Sequence, residues 1–169
     1  LEKIKTGSCD FTDIDNVIWK KDNKFIKNKI SHVNDINYIV KRDLIDNDYY
    51  REYGGMANIQ TKRGCNFNCC YCTYPLLEGK KYRLRRPDIV ADEIELFSKN
   101  YNIKHFFIVD NIFNYPLVHA KQVCAAIIKK KLDISWTCFA SPGHMPEDLV
   151  LLMKKAGCSN IEFGTDALS

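Results

Sequence analysis

The chain has 169 residues, 46% of them hydrophobic and 27% charged, with a formal net charge of +4; this balance belongs to globular proteins and excludes disordered or fibrous ones. No apolar run approaches the roughly 20 residues that cross a bilayer, and the opening residues Leu1-Glu2-Lys3-Ile4-Lys5-Thr6 do not make a secretory signal, so a cytoplasmic protein without a membrane partner is expected. The lysines are scattered among aspartates and glutamates rather than gathered in one block, which lends no support to a nucleic-acid partner.

Residues 1–56 read as a lead-in or linker segment. They are rich in Asn, Asp and Lys, with short apolar stretches at Val17-Ile18-Trp19 and Tyr38-Ile39-Val40 and a turn signal at Asp22-Asn23 between two possible short strands. A helical turn fits residues 43–50, and Gly54-Gly55 then breaks the chain. From Ala57 the pattern becomes regular. Short apolar, β-branched or aromatic segments at 58–61, 105–110, 134–140 and 160–164 suit buried parallel strands. Three helical patterns lie between them. The first carries Val90, Ile94, Phe97 and Tyr101 on one face behind Pro87; the second carries Ala120, Val123, Cys124 and Ile127; the third starts at Pro146 and carries Leu149, Leu152, Met153 and Ala156 up to a stop at Gly157. This alternation predicts repeated βαβ units and an α/β fold whose parallel sheet curves toward a barrel, with its chemistry on loops at the carboxyl ends of the strands. The chain opens without Met and stops directly after the fourth strand candidate, so an excised piece of a longer protein is expected.

Eight cysteines in a chain without an export signal are expected as reduced thiols. Cys9, Cys124, Cys138 and Cys158 stand alone, and Cys124 and Cys138 fit small buried residues. The other four crowd between Cys65 and Cys72, on the loop after the first strand. Cys65-x-x-x-Cys69-x-x-Cys72 places three thiolates on one tight loop, enough for three irons of a four-iron, four-sulfur cluster with the fourth iron left open for chemistry. A zinc-binding interaction module, with a histidine as fourth ligand, is the alternative. Cys70 is left out of the ligand set, because adjacent cysteines seldom both reach one cluster. Asp110, at the end of the second strand, is either a turn residue or a pocket residue, whereas a carboxylate at Asp166, at the carboxyl end of a barrel strand, is poorly explained by packing. The run Lys80-Lys81-Tyr82-Arg83-Leu84-Arg85-Arg86 is read as solvated positive charge near an anionic cluster, with Arg83 kept as a pocket contact. Trp136, Phe113, Tyr74 and Tyr115 are read as packing residues.

The Cys-x-x-x-Cys-x-aromatic-Cys pattern after the first strand of a βα series resembles the radical S-adenosylmethionine (radical SAM) family. Its flanks, Ala57-Asn58-Ile59-Gln60-Thr61-Lys62-Arg63-Gly64 and Tyr71-Cys72-Thr73-Tyr74-Pro75, resemble the subgroup fused to an upstream cobalamin-binding domain. The likeness extends through Tyr82-Arg83, Asp110-Asn111-Ile112-Phe113-Asn114 and Ile161-Glu162-Phe163-Gly164-Thr165-Asp166. It implies a partial (β/α) barrel of the radical SAM, TIM-barrel-like type, truncated here after the fourth strand. Residues 57–169 would be the N-terminal part of that domain, and 1–56 a linker from a cobalamin-binding domain absent from this chain. The implied cofactors are a [4Fe-4S] cluster, S-adenosylmethionine and cobalamin; the implied reaction is reductive cleavage of S-adenosylmethionine to a 5′-deoxyadenosyl radical that serves methyl transfer or a related radical rearrangement. A small-molecule substrate and an electron donor such as flavodoxin or ferredoxin would be the partners. Carried onto this chain, Cys65, Cys69 and Cys72 are the metal ligands, Tyr71 stands beside the adenine, Asp110 takes a pocket position, and Asp166 faces the ribose. The Gly-Gly-Glu run that many members carry after the second strand is missing, and Asp110-Asn111-Ile112 stands in that region.

Overall fold

The computed structural model describes residues 2–164 and divides the chain into two compact units, with the division between Asn34 and Asp35. The first unit holds the short helix α1 (Glu2–Lys5) and the antiparallel hairpin of β1 (Ile18–Lys21) and β2 (Lys24–Lys27). Its turn residues Asp22 and Asn23 both take positive φ, 46° and 60°, as a two-residue hairpin turn with the right-handed strand twist requires. Trp19 opposes Ile26 in the register, meets Phe11 edge-on at 5.6 Å and donates its indole N–H to Asn28 Oδ1 at 3.1 Å.

The second unit begins with a strap and then α2 (Asn47–Glu52), whose first turn is capped by Asp46 accepting from the Tyr49 N–H at 2.9 Å. There follow β3 (Ala57–Ile59), β4 (Lys62–Arg63), α3 (Tyr74–Glu78), β5 (Arg83–Leu84), α4 (Pro87–Tyr101), β6 (His105–Ile108), α5 (Leu117–Lys130), β7 (Ser135–Ala140), α6 (Glu147–Lys155) and β8 (Cys158–Phe163). The main sheet has the order β3-β6-β7-β8 and is parallel throughout. Among the described residues it is an open sheet, with β3 and β8 at its edges. No helix among the described residues is long and apolar enough to cross a membrane.

The three helical periodicities appear as α4, α5 and α6. Their apolar stripes, including Val90, Ile94 and Phe97, Val123 and Ile127, and Leu149 and Met153, close over Phe106, Ile108, Trp136 and Cys138 in one core. Among the described residues the opposite face of the sheet is bare of helices. There the register sets Asn58, Phe107, Thr137 and Asn160 in one row, with Phe139 opposite Glu162 in the next.

Several bounds differ from the sequence expectation: the helical turn lies at Asn47–Glu52, the second strand stops at Ile108 and the fourth starts at Cys158. The first strand ends at Ile59 rather than Thr61, because the Thr61 N–H is turned to the Asp110 carboxylate instead of a strand partner. The antiparallel ribbon of β4 and β5, with Lys62 opposite Leu84 and Arg63 opposite Arg83, is too short for any periodicity to reveal. Residues 36–42 bind along the exposed side of β3: Ile36 is buried, and the Arg42 guanidinium donates to the Asn58 carbonyl at 3.1 Å while lying 4.6 Å from the Phe97 ring.

Candidate metal centre

The cysteine loop leaves the sheet after β3 and is drawn closed at its base. The β4–β5 ribbon pairs its two ends, and the Cys65 N–H donates to the Gly79 carbonyl at 3.0 Å, returning the end of α3 to the first cysteine. Inside the loop the Cys72 N–H donates to the Cys69 carbonyl at 3.1 Å, a turn that holds those two cysteines as neighbours. Cys65 is buried, whereas Cys69, Cys70 and Cys72 are exposed, and all four are free thiols. The Tyr82 hydroxyl lies 3.9 Å from Cys65 Sγ, and burial together with that thiol pushes the Tyr82 phenol well above its ordinary value. Among the described residues no three His, Cys, Asp or Glu side chains are gathered closely enough to hold a single metal ion. A four-iron cube asks for a different arrangement, three thiolates set around its corners, and residues 65–72, with four thiols and no carboxylate, supply that kind of donor.

Asp110 stands directly beneath this loop, but its carboxylate is closed to solvent. Oδ1 accepts from the N–H groups of Thr61 at 2.8 Å and Lys62 at 3.3 Å; Oδ2 accepts from the Thr61 hydroxyl and, at 2.8 Å, from Lys62 Nζ. Both side chains of the Lys62–Asp110 pair are 0% exposed, and Lys62 Nζ also donates to the Phe113 carbonyl at 3.2 Å. The structure thus gives Asp110 an interior bonding role in place of an open pocket position. His119, buried at the start of α5, sets Nε2 3.2 Å from the Thr61 carbonyl. Burial first, then the Lys62 charge, holds its imidazole below the ordinary 6.5. The unfolded chain therefore takes up a proton that the folded one refuses as pH falls below about 6.5, so stability present above that pH declines toward the lowered folded value. Urea unfolding midpoints at pH 7 and pH 5 should show this loss, and His119→Gln should flatten it.

The tip of the cysteine loop rests on a wall of rings at the carboxyl ends of β6 and β7. Phe67 lies 5.2 Å from Tyr115 and 5.8 Å from His144, Tyr115 lies 5.0 Å from His144, and Tyr82 lies 5.9 Å from Tyr115. Buried Asn114 ties the two rim loops together: its amide donates to the carbonyls of Ser141 at 2.8 Å and His144 at 2.7 Å, and accepts from the Ser141 N–H at 2.9 Å. Asn114 falls in the segment 110–114 that carries the family likeness, whereas His144 has no signal in the sequence beyond its position after a strand. Tyr115, read as barrel packing, supports the loop tip instead.

The basic run departs from its reading as solvated charge. Arg83 and Arg85 are buried, Arg83 bonding the Glu78 carbonyl, and Arg85 pairing with Glu93 Oε2 at 2.6 Å while donating to the carbonyls of Gln60 and Tyr38. Both arginines bond the protein's own acceptors, although the buried Arg85 Nε has no hydrogen-bond partner among the described residues. Lys80, Lys81 and Arg86 remain exposed. Tyr71 sits on the exposed part of the loop between Cys70 and Cys72. Asp166 lies outside the described residues.

The profile of the radical SAM superfamily matches residues 59–169. An uncharacterized methyltransferase of Pyrococcus horikoshii is 30% identical over 155 residues, covering 88% of this chain and 34% of that protein, so the chain spans about a third of that relative's length. Among solved structures, the radical S-adenosylmethionine methyltransferase TsrM from Kitasatospora setae, with cobalamin and a [4Fe-4S] cluster bound, is 27% identical over 74% of this chain and 25% of its own, with a TM-score of 0.68. The same enzyme with tryptophan substrate and a SAM analogue bound covers 99% of this chain and 35% of its own at 22% identity and a TM-score of 0.82, a likeness of fold.

Proposed function

We propose, for a chain that belongs to the radical SAM superfamily, that it is the cluster-bearing front part of a cobalamin-dependent radical SAM methyltransferase. The carrying observation is the closed loop that presents Cys65, Cys69 and Cys72 at the carboxyl end of the first parallel strand. In this reading the four parallel strands are the first part of a partial barrel, and residues 57–169 are the N-terminal portion of the radical SAM domain. Residues 1–56 lead in from a cobalamin-binding domain outside this chain. When bound, the [4Fe-4S] cluster supplies the electron that cleaves S-adenosylmethionine, and cobalamin carries the transferred methyl group.

The chain's own residues do the holding and orienting. Cys65, Cys69 and Cys72 supply thiolates, and Tyr71, next to the third ligand, stands ready to cover the adenine, while Asp166 is assigned to the ribose. The ring wall of Phe67, Tyr115 and His144 shields one side of the loop. The helix-free face, with Phe107 and Phe139 5.2 Å apart between Asn58, Thr137, Asn160 and Glu162, becomes the barrel interior that receives a small-molecule substrate. An electron donor such as flavodoxin or ferredoxin completes the system.

Anaerobic reconstitution with iron and sulfide should load about four irons per chain, with the absorption and spin-resonance signals of a reducible cluster. Ala substitutions at Cys65, Cys69 or Cys72 should each abolish that signal, and Cys70→Ala should keep it. One colourless metal ion per chain would replace this reading with the zinc module.

A further inference from the structure

The stem of the cysteine loop is held by a charge pair that the chemistry above does not use. Lys62 lies three residues before Cys65, on β4, with its ammonium fully buried between Asp110 Oδ2 and the Phe113 carbonyl. Asp110 in turn gathers the two successive backbone N–H groups of Thr61 and Lys62 on one oxygen, and the Thr61 hydroxyl on the other. The Thr61 carbonyl is fixed on its far side by the Arg85 N–H at 2.9 Å and by His119. The segment that Asp110 begins continues through Phe113, whose N–H donates to the Phe139 carbonyl at 2.8 Å, to Tyr115, the ring beneath the loop tip. One stretch, 110–115, therefore grips the cysteine loop twice, at its stem through Lys62 and at its tip through Phe67.

A buried ion pair contributes little net stability compared with apolar side chains of the same volume, because both charges must be stripped of water. What it does supply is direction: an ammonium and a carboxylate, each with several bonds to make, tolerate few alternative arrangements. We propose that the Lys62–Asp110 pair is a positioning element of the cysteine loop, fixing the point and angle at which the chain enters Cys65. Lys62 and Asp110 then act on the metal site through the backbone and touch neither cluster nor S-adenosylmethionine. This rests on the three-cysteine loop being the ligand loop.

The test uses the full chain without metal. Lys62→Met together with Asp110→Asn removes both charges while keeping volume and an acceptor for the Thr61 N–H. Timed alkylation with N-ethylmaleimide, read residue by residue by mass spectrometry, should then label Cys65 at least about tenfold faster than in the unaltered chain, a local opening with the core kept. Buried Cys124 should stay protected, and exposed Cys69 should label at an unchanged rate. Thr61→Val, which deletes one bond to Asp110 and keeps the pair, should give a smaller rise at the same cysteine. Ile94→Val, which loosens the core away from the loop, should give none. Cys65 protection unchanged in both loop variants, Cys65 and Cys124 released together, or a rise in Ile94→Val equal to that in the double variant would each overturn the proposal. After iron–sulfide reconstitution, the double variant should also release iron to a chelator faster and show an altered spin-resonance signal. An unaltered chain that takes up no iron–sulfur cluster would sink the functional reading, and the alkylation rates would still decide the positioning role.

Discussion

Arg85→Met is expected to destabilise the second unit by about 3–5 kcal/mol, the cost of leaving a buried carboxylate without its cation. The Arg85 and Glu93 side chains are 6% and 2% exposed and meet at 2.6 Å, so solvent cannot rescue the abandoned Glu93. The loss is not confined to the pair. Arg85 also donates to the Tyr38 carbonyl at 2.6 Å and to the Gln60 carbonyl at 2.8 Å, while Glu93 Oε1 accepts the Val40 N–H at 3.0 Å. These bonds fasten the 36–42 strap beside β3. Urea unfolding should show a fall that is a large fraction of the roughly 5–15 kcal/mol typical of a domain, and the Val40 amide should exchange with solvent at much lower protection. Arg85→Met combined with Glu93→Leu, which leaves no orphaned charge, should recover most of the stability and none of the strap protection. Equal stability in the single and double variants would mean that the guanidinium acts by packing alone.

The contrast between what the sequence disclosed and what it hid follows from how far apart the interacting residues lie. Helices α4, α5 and α6 were legible because their apolar residues recur at three and four and each stripe is complete within its own element. Strands β6, β7 and β8 were legible as short β-branched or aromatic segments between those helices. The three candidate ligands were legible because their spacing is itself the chemistry. Lys62, Arg83 and Arg85 were not. A charged residue is ordinarily solvated, and the contacts that bury Lys62 and Arg85 form only when separate elements pack together: Asp110 lies 48 positions from Lys62, and Glu93 lies on the helix that follows Arg85. The β4–β5 ribbon, two residues on each side, carries no period to detect. Asp110 was read as the end of the second strand, which stops at Ile108, and only the structure shows its oxygens taken by Thr61 and Lys62.

Gly64→Ala is expected to reduce reconstituted iron from about four per chain to less than one while leaving the helices formed. Gly64 precedes the first candidate ligand and takes φ +87°, a region that side-chain-bearing residues enter at a cost of about 1–2 kcal/mol. Sterics add to that strain. A methyl group here would stand 2.2 Å from the Lys81 carbonyl oxygen and 3.2 Å from that of Gly79. Both obstacles are backbone, so no side-chain rotation relieves them; the β4–β5 ribbon must part or the Cys65 N–H must give up the Gly79 carbonyl. Either movement displaces Cys65 from the base of its loop. Gly143→Ala provides the comparison, because it sits beside His144 on the same rim with open space around the added methyl. It should retain full iron loading and an unchanged melting temperature. Iron content measured beside circular dichroism separates a displaced loop from an unfolded chain, and a Gly64→Ala protein that loads iron like the unaltered chain would show that Cys65 does not depend on the closure at its base.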